Sequence, residues 1–344
     1  MIDLSDKKVL ERYLLDKGLI DSAVGFSITY CGGGVSCTVA FVQAGDRAMI
    51  VKQALAKLKV KENWQCDPNR MNIEMKSNAV YHRLVPDSAP AVYFYDHDNY
   101  VFGREAAPER CTMWKNDLLG GLLDFAVAGK AIRALSAVHN ACAGDSQMRI
   151  DFGDKAIFHD LRISPYIKFV MEKNRAIVPF AEPIVDALMN SSITLVHGDF
   201  SPKNIMVDNR RIYILDFEVA HYGHPAFDLA FFSNHFLLKA VKNRQWAASY
   251  LDMLRYMLDI YYAEMAFMDR AELESVYVRL LALLFIARVD GKSPAEYITE
   301  TNDKDLIRSL SAAILDRKIG SYPEMLALVG DGIARVGNRA SPLV

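Results

Sequence analysis

The sequence predicts an α+β protein of two lobes, a small lobe built on an antiparallel sheet and a larger, mainly helical lobe. Runs rich in β-branched and aromatic residues, which are typical of short strands, are concentrated in roughly the first hundred residues. From Asn116 onward, apolar residues instead recur at spacings that place them on one face of a helix. Because no Pro- or Gly-rich linker separates the two patterns, we expect lobes over 1–106 and 107–344 that join directly.

The small lobe is predicted to contain strands on either side of a central helix. The strands fit 26–30, 38–43, 48–52, 91–95 and 100–105. Helices fit 5–17 and 69–84, and Pro86 follows the second of them. The residues Ala44-Gly45-Asp46 supply the turn between the second and third strands.

The large lobe is predicted to be helical except for one β island. A first helix ends near His139. Further helices fit 164–189, 225–239, 243–268, 271–288, 303–317 and 323–336. The island covers 193–216 and contains two short strands, over 205–207 and 212–215.

Composition excludes several classes of function. The 344 residues are 51% hydrophobic and 24% charged, which is ordinary for a globular protein. A net charge of -2 gives no reason to expect a nucleic-acid or membrane partner. The five cysteines lack zinc-site spacing, and the longest apolar run, 280–287, is far shorter than the roughly 20 residues that span a bilayer. We therefore expect a cytoplasmic protein with reduced thiols.

The β island carries the residues that suggest chemistry. It contains His197-Gly198-Asp199-Phe200-Ser201-Pro202-Lys203-Asn204, and Asp216-Phe217-Glu218 follows the two strands. Phosphoryl transfer needs a carboxylate that orients and deprotonates a hydroxyl, and oxygen ligands that hold magnesium against phosphates. Asp199 is the predicted base, and Asn204 and Asp216 are the predicted metal ligands. The alternative is that these are turn-forming residues of a surface loop, but the flanking apolar strands favour the catalytic interpretation.

Lys203 is the one cation close to Asp199 in sequence. A purely structural ion pair is therefore less expected for Asp199 than a role toward the acceptor hydroxyl.

These residues, together with the segment from Pro225 to Ala230, resemble the aminoglycoside phosphotransferase / choline kinase superfamily, and the resemblance extends over most of the chain. It implies a protein-kinase-like two-lobed fold with ATP and Mg²⁺ as cofactors. It also implies that Asp228 braces the catalytic loop and that His197 is structural. A carboxylate at a helix N-terminus can accept loop amides, and capping of the same helix is a compatible alternative.

The same resemblance implies a nucleotide site in the small lobe. Gly33, Gly34 and Ser36 lie in a glycine-rich turn between strands, which could bring backbone amides to phosphates or could simply be flexible. Lys52 ends the third strand, where kinases place a phosphate-binding lysine, although a lysine there is often only solvated. Glu74 is the predicted partner of Lys52, and Glu62 competes for that role.

The segment from Phe102 to Ala106 joins the lobes. In this fold such a hinge, with Phe102 and Glu105, offers backbone groups to adenine. A plain connector is the alternative, and nothing in the sequence decides between them.

The nucleotide lobe is also similar to that of 5-methylthioribose kinases, on the residues 51–55 and Glu62-Asn63-Trp64. Those kinases carry a small hydroxyl residue where Asn204 stands, and they grip the sugar with a late arginine pair, of which only Arg288 is present. The candidate substrate residues are Trp64, Glu218 and Arg288. Trp64 either closes over the cleft or packs on the lobe surface, and Arg288 either binds ligand or interacts with its helix dipole.

We therefore predict an ATP-dependent kinase that phosphorylates a hydroxyl of a small molecule, sugar-like or amino-alcohol, as a monomer or homodimer. A 5-methylthioribose kinase or related sugar kinase is the alternative within this class, and inactivation of an antibiotic stays open. A non-catalytic nucleotide-binding protein is the alternative of another class. A protein kinase is disfavoured because Glu218 replaces the glycine of Asp-Phe-Gly and no Ala-Pro-Glu segment follows.

Overall fold

The computed structural model describes residues 2–21, 25–32, 37–54, 67–317 and 319–339. The side chains of 337–339 are not described. No helix in these ranges is long and apolar enough to cross a bilayer.

The N-terminal part is a five-stranded sheet with a helix on each face. Its elements are α1 (Lys7–Asp16), β1 (Phe26–Tyr30), β2 (Cys37–Ala44), β3 (Arg47–Ala54), α2 (Arg70–Leu84), β4 (Val92–Asp96) and β5 (Val101–Glu105). The strand order is β1-β2-β3-β5-β4, and every pair is antiparallel. The predicted antiparallel sheet and its strands are confirmed, with ends shifted by one or two residues.

Alternation along the strands assigns the two faces of this sheet. Val42 and Val51 point to the face covered by α1, where they pack with Leu10 and Leu14. Residues of opposite parity form a second small core with α2, made of Cys37, Ala54, Met71 and Phe102. Because successive side chains of a strand point to opposite faces, Lys52 shares the α2 face with Ala54. The register then places Lys52 opposite Phe102 of β5.

The C-terminal part is mainly helical around one large core. Its α-helices are α3 (Trp114–Leu119), α4 (Phe125–Cys142), α5 (Ser146–Phe152), α6 (Ala156–Phe158), α7 (Phe169–Lys173), α8 (Val178–Asn190), α9 (Ala226–Lys242), α10 (Ala247–Glu264), α11 (Arg270–Asp290), α12 (Thr301–Asp316) and α13 (Tyr322–Arg339). Helices α9 and α11 lie at the centre, and almost every residue of α9 from Ala226 to Val241 is buried.

One predicted helix, over 164–189, is wrong as a single element. A wide-turn π-helical segment, His159–Lys168, leads into α7, and a short 3₁₀ turn then precedes α8. Pro165 lies inside the π-helical segment and cannot donate the amide hydrogen bond of a regular helix. Asn174 is extended, and its side chain accepts from the amide of Ala176 at 3.1 Å, so a new helical segment begins after Asn174.

Two small sheets hold the β island in place. Strands β6 (Thr112–Met113), β8 (Ile205–Asp208) and β9 (Arg211–Ile214) form one sheet, and β7 (Thr194–Val196) pairs with β10 (His221–Gly223) in the other. The hairpin of β8 and β9 confirms the predicted pair of short strands. Strands β6 and β10 were not predicted, because two or three residues are too few for alternation to be visible.

Candidate active site

The loop after β7 is anchored by one buried carboxylate. Asp228, in the first turn of α9, accepts from the amide of His197 through Oδ2 at 2.7 Å and from the amide of Gly198 through Oδ1 at 2.9 Å. Gly198 has φ +77°, and a Cβ there would lie 2.4 Å from the carbonyl oxygen of Val219. A larger residue would therefore disrupt the turn. The predicted bracing of the loop by Asp228 is confirmed.

Two histidines complete the support of this loop. His139 Nε2 lies 3.2 Å from Asp228 Oδ2, and its Nδ1 lies 2.6 Å from the hydroxyl of Tyr261. His197 Nδ1 accepts from the amide of Asp199 at 3.2 Å, and its ring packs against Phe217. Burial lowers the pKa of His197, which keeps the ring neutral. Both rings are fully buried, so they hold the loop and do not face a ligand.

The carboxylate of Asp199 makes its hydrogen bond and its ion pairs with the described residues through one oxygen. Its Oδ2 accepts a hydrogen bond from Asn204 Nδ2 at 2.8 Å and forms ion pairs with Lys203 Nζ at 2.9 Å and Arg162 Nη2 at 3.1 Å. Its Oδ1 has no hydrogen-bond partner among the described residues. The residue is 2% exposed. One hydrogen bond and two ion pairs therefore hold the carboxylate through Oδ2, while Oδ1, which is also buried, has no hydrogen-bond partner among the described residues.

Arg162 is a site residue that the sequence did not reveal. It lies in the π-helical segment, and its Nε donates to the carbonyl of Gly198 at 2.7 Å. Burial alone would lower the pKa of the Arg162 guanidinium, but the carboxylate of Asp199 and other nearby acidic groups together outweigh burial and raise that pKa. The expectation that disfavoured an ion pair for Asp199, because Lys203 is the one cation near it in sequence, does not hold in the structure: both Lys203 and Arg162, from a distant part of the chain, pair with Asp199. No spacing pattern links Arg162 to Asp199.

A second charged cluster joins the two lobes. Lys52 Nζ lies 2.8 Å from Glu74 Oε1 and 2.9 Å from Asp216 Oδ1. The predicted pairing of Lys52 with Glu74 is confirmed. Burial opposes charge on Lys52, but Asp216 and Glu74 raise its pKa well above the usual value. In the same way Lys52 lowers the pKa of Asp216 against the effect of burial. This lysine and this aspartate are therefore a charged pair across the cleft.

Oxygen atoms converge around this pair. The carboxylates of Glu74, Asp216 and Glu218 each place one oxygen within 4.8 Å of the others. Asn204 uses Nδ2 on the carbonyl and carboxylate of Asp199, which leaves its Oδ1 as the possible ligand atom. Burial raises the pKa of Glu74 to about 7 and also raises the pKa of Glu218. Such crowding of carboxylates is relieved by a cation, and magnesium prefers oxygen ligands.

The predicted hinge residues do not present their side chains to the cleft. The ring of Phe102 is fully buried in the small core with Met71. The Glu105 amide donates to the carbonyl of Ala91 at 2.8 Å, and the Glu105 carbonyl accepts from Arg104 Nη1 at 2.9 Å. Any contact of this segment with adenine would therefore involve the backbone, as the prediction stated, and the assignment stays a prediction.

The candidate substrate residues lie apart from one another. Glu218 Oε2 is 3.3 Å from Arg70 Nε of α2, on the side of Lys52. Arg288 is buried near the end of α11 and donates to the hydroxyl of Tyr166 at 3.3 Å. Trp64 lies outside the described residues, as do Gly33, Gly34, Ser36 and Glu62. The roles assigned to all of them stay predictions.

The chain is similar to several kinases of small molecules. Residues 123–268 match the family described as "Phosphotransferase enzyme family". Methylthioribose kinase of Bacillus cereus (strain G9842) is 24% identical over 269 residues, which cover 70% of this chain and 67% of that protein.

Solved structures give the same picture. A choline/ethanolamine kinase family protein of Mesorhizobium loti matches with a TM-score of 0.54 at 14% identity, over 94% of this chain and 99% of that one. Choline kinase of Cryptosporidium parvum Iowa II matches with a TM-score of 0.56 at 10% identity, over 97% and 99%. These similarities confirm the predicted kinase-like fold with a small sheet lobe and a larger helical lobe.

Proposed function

From the match to a phosphotransferase family and the similarity to a methylthioribose kinase, we propose that this protein is a small-molecule kinase of the aminoglycoside phosphotransferase / choline kinase superfamily and that Asp199 is its catalytic base. The observation that carries this proposal is the difference between the two oxygens of the Asp199 carboxylate: Oδ2 accepts one hydrogen bond and forms two ion pairs, and Oδ1 has no hydrogen-bond partner among the described residues. A group held in this way can orient a hydroxyl at Oδ1 without turning away from it.

The proposed step moves one proton and one phosphoryl group. The acceptor oxygen attacks the γ-phosphorus of ATP, and the bond from that phosphorus to the bridging oxygen of ADP breaks. The hydroxyl proton passes to Asp199 Oδ1. Arg162 and Lys203 hold the Asp199 carboxylate at 3.1 and 2.9 Å, so it keeps its orientation through the transfer.

The nucleotide side of the proposal rests on the cluster around Lys52. Lys52 would contact the ATP phosphates, and Glu74 would keep its ammonium in place at 2.8 Å. Asn204 and Asp216 would hold Mg²⁺, because both offer oxygen ligands: Asn204 lies beside Asp199, and Asp216 lies beside Lys52. When bound, the metal offsets the phosphate charge. The turn with Gly33, Gly34 and Ser36 would cover the phosphates, and the Phe102 to Glu105 backbone would face adenine.

We propose two related classes of compound as the acceptor. A sugar-like or amino-alcohol hydroxyl is our first candidate. 5-Methylthioribose is a second, favoured by the 24% identity to a methylthioribose kinase. A non-catalytic binding protein would have no need of Asp199 together with Lys52 and Asp216 in one cleft. We further propose that the enzyme acts in the cytoplasm, as a monomer or homodimer.

An acceptor screen tests this function. The protein is incubated with Mg-ATP and separate sugars, sugar acids, amino alcohols and aminoglycosides, and phosphorylated products are detected by mass spectrometry. We expect at least one acceptor to gain a phosphoryl group while ATP is converted to ADP, and the product to be absent when EDTA replaces Mg²⁺. ATP hydrolysis with no phosphorylated product from any class would contradict the proposal.

A further inference from the structure

Two buried cations lie beyond the proposed base. Lys239 of α9 is fully buried, and its Nζ donates to the carbonyl of His235 at 3.2 Å. Arg288 of α11 is 8% exposed and contacts Ser293 and the hydroxyl of Tyr166. Neither cation forms an ion pair with any carboxylate in the described part of the chain. We call Lys239 and Arg288 the unpaired cations.

Polar atoms around the unpaired cations also lack partners. Arg288 Nε, His235 Nε2 and the hydroxyl of Tyr297 are buried and have no hydrogen-bond partner among the described residues. Tyr297 lies between charges, because Lys239 Nζ is 5.5 Å from its ring centroid. Burying an uncompensated cation or an unsatisfied donor is costly. A bound ligand that pairs with these groups would offset the cost of burying them.

Aromatic contacts connect this region to Asp199. Arg162, which lies 3.1 Å from Asp199 Oδ2, also has its guanidinium 5.5 Å from the ring of Phe231. Phe231 packs against Tyr166 at 5.8 Å and against His235 at 5.6 Å. Arg288 lies 5.8 Å from the ring of Tyr166. A path of touching side chains therefore leads from the base to the unpaired cations.

The side chains of this region carry a net positive charge. The carboxylates near it are already engaged, since Asp199 is shared by Arg162 and Lys203, and Glu296 pairs with Lys115. Burial lowers the pKa of Lys239 to about 7, an effect to which Lys115 and Arg288 add and which Glu296 opposes, so Lys239 is only partly charged near neutral pH. An anion placed here would reverse that effect, whereas a cation would add to the repulsion.

We infer that the acceptor carries an anionic group, a carboxylate or a phosphate, in addition to the hydroxyl that is phosphorylated. Arg288 binds this anion directly, and Lys239 attracts it electrostatically without direct contact. The inference rests on the proposed kinase function, because it places the acceptor hydroxyl at Asp199. It predicts that cationic acceptors such as choline or an aminoglycoside bind poorly, although relatives of this fold accept choline.

Matched ligands test the charge of the acceptor independently of turnover. Calorimetry in the presence of Mg²⁺ and a non-hydrolysable ATP analogue compares ribose with ribonate and ribose 5-phosphate, and glycerol with glycerate and glycerol 3-phosphate. Choline and kanamycin are the cationic members of the panel. We expect an anionic member of at least one series to bind about 10- to 100-fold more tightly than its neutral counterpart. The carboxylate and phosphate arms identify the anion.

Variants then locate the preference. Arg288→Gln should remove most of this anion preference, Arg288→Lys should retain part of it, and Lys239→Met should reduce it. Arg279→Gln, on the exposed side of the same helix α11, and Lys242→Met, at the end of α9, are the matched controls and should keep it. Arg288→Lys also guards against misfolding, since it keeps the charge.

The outcomes separate the two proposals. Equal or tighter binding of the neutral or cationic compounds, or an anion preference that survives in Arg288→Gln, would overturn the inference. Phosphorylation of a neutral or cationic acceptor alone would overturn the inference while leaving the kinase function intact. Anion binding at Arg288 with no phosphoryl transfer to any acceptor would instead contradict the kinase function.

Discussion

The carboxylate of Asp199 shows how much one residue depends on others. The sequence could identify this aspartate because the loop that carries it is continuous, from His197 to Asn204. It could not identify Arg162, whose side chain supplies the second cation on Oδ2 at 3.1 Å. It also could not reveal that Lys239 forms no ion pair with the described residues, because pairing depends on which helices meet. Residues that belong to a recognisable motif are predictable, and a residue such as Arg162 that reaches the site from outside any motif is not.

His221 is a residue whose burial has a measurable consequence. It is fully buried in β10, stacks on Phe158 at 3.9 Å, and burial lowers its pKa to about 4. An unfolded histidine has a pKa of about 6.5, so below that pH the unfolded state binds more protons than the folded state. The free energy of unfolding should therefore fall by about 3 kcal/mol as the pH drops from 6.5 to 4 through this one group.

Urea unfolding between pH 7 and pH 4 measures this effect. His221→Asn removes the titration while keeping a donor for the carbonyl of Val219, which His221 Nδ1 contacts at 3.1 Å. The variant should lose about 3 kcal/mol less than the parent over this range. His159→Asn, on a partly exposed side chain, is the control and should follow the parent. Identical pH dependence in His221→Asn and the parent would contradict the assignment.

At the scale of elements, strands β3 and β5 with helix α2 were predicted closely, because alternation and a bounding proline are visible in sequence. The segment from His159 to Asn190 was not, because its apolar pattern continues through Pro165 and past the extended Asn174. Its π-helical part is the one that delivers Arg162. The missed break and the missed site residue therefore have the same origin.

The contact between β3 and α2 yields a prediction about Lys52. Its ammonium donates to Glu74 at 2.8 Å and to Asp216 at 2.9 Å, and Lys52 is not among the residues of the large hydrophobic core. Lys52→Ala should lower kcat/KM for ATP by about 10- to 100-fold, the effect of losing charge-assisted contacts. The melting temperature should also fall, because Glu74 and Asp216 lose their buried cation, but Lys52→Ala should remain folded, so that the loss of turnover is measured on the native protein.

Steady-state kinetics and thermal unfolding of Lys52→Ala are measured together. Lys76→Ala, which removes an exposed ion pair with Asp151 on the same helix α2 as Glu74, is the control. A rate equal to the parent's in Lys52→Ala would remove Lys52 from the nucleotide site. Normal kinetics in Glu74→Gln would show that another residue, with Glu62 as the candidate, positions the lysine.

At the scale of the whole molecule, ion pairs connect the two lobes across the proposed nucleotide cleft. Lys52 from the small lobe and Asp216 from the large lobe are 2.9 Å apart, and Arg70 of α2 lies 3.3 Å from Glu218. The order of the motifs along the chain was enough to predict this fold. The boundary near residue 106 stays a prediction, consistent with β5 ending at Glu105.

The crowded carboxylates of this cleft predict a dependence of ATP binding on metal. The oxygens of Glu74, Asp216 and Glu218 repel the phosphates of ATP unless a divalent cation lies between them. ATP at 100 times its Kd should stabilise the protein by about 2.7 kcal/mol when Mg²⁺ is present. The shift in Tm should largely disappear with EDTA. An equal shift with and without Mg²⁺ would contradict the assigned roles of Asn204 and Asp216.

The central claim is that Asp199 acts on the acceptor hydroxyl, and Asp199→Asn tests it most directly. The substitution keeps the shape of the side chain and an oxygen that can accept from Arg162 or Lys203, so folding and Mg-ATP affinity should survive. A positioned base contributes about 10²–10⁴-fold in rate, and turnover with the true acceptor should fall by about that factor. The measurement is turnover and ATP affinity of the variant beside the parent. Turnover near that of the parent would contradict the account, and loss of ATP binding together with turnover would place Asp199 in the metal site instead.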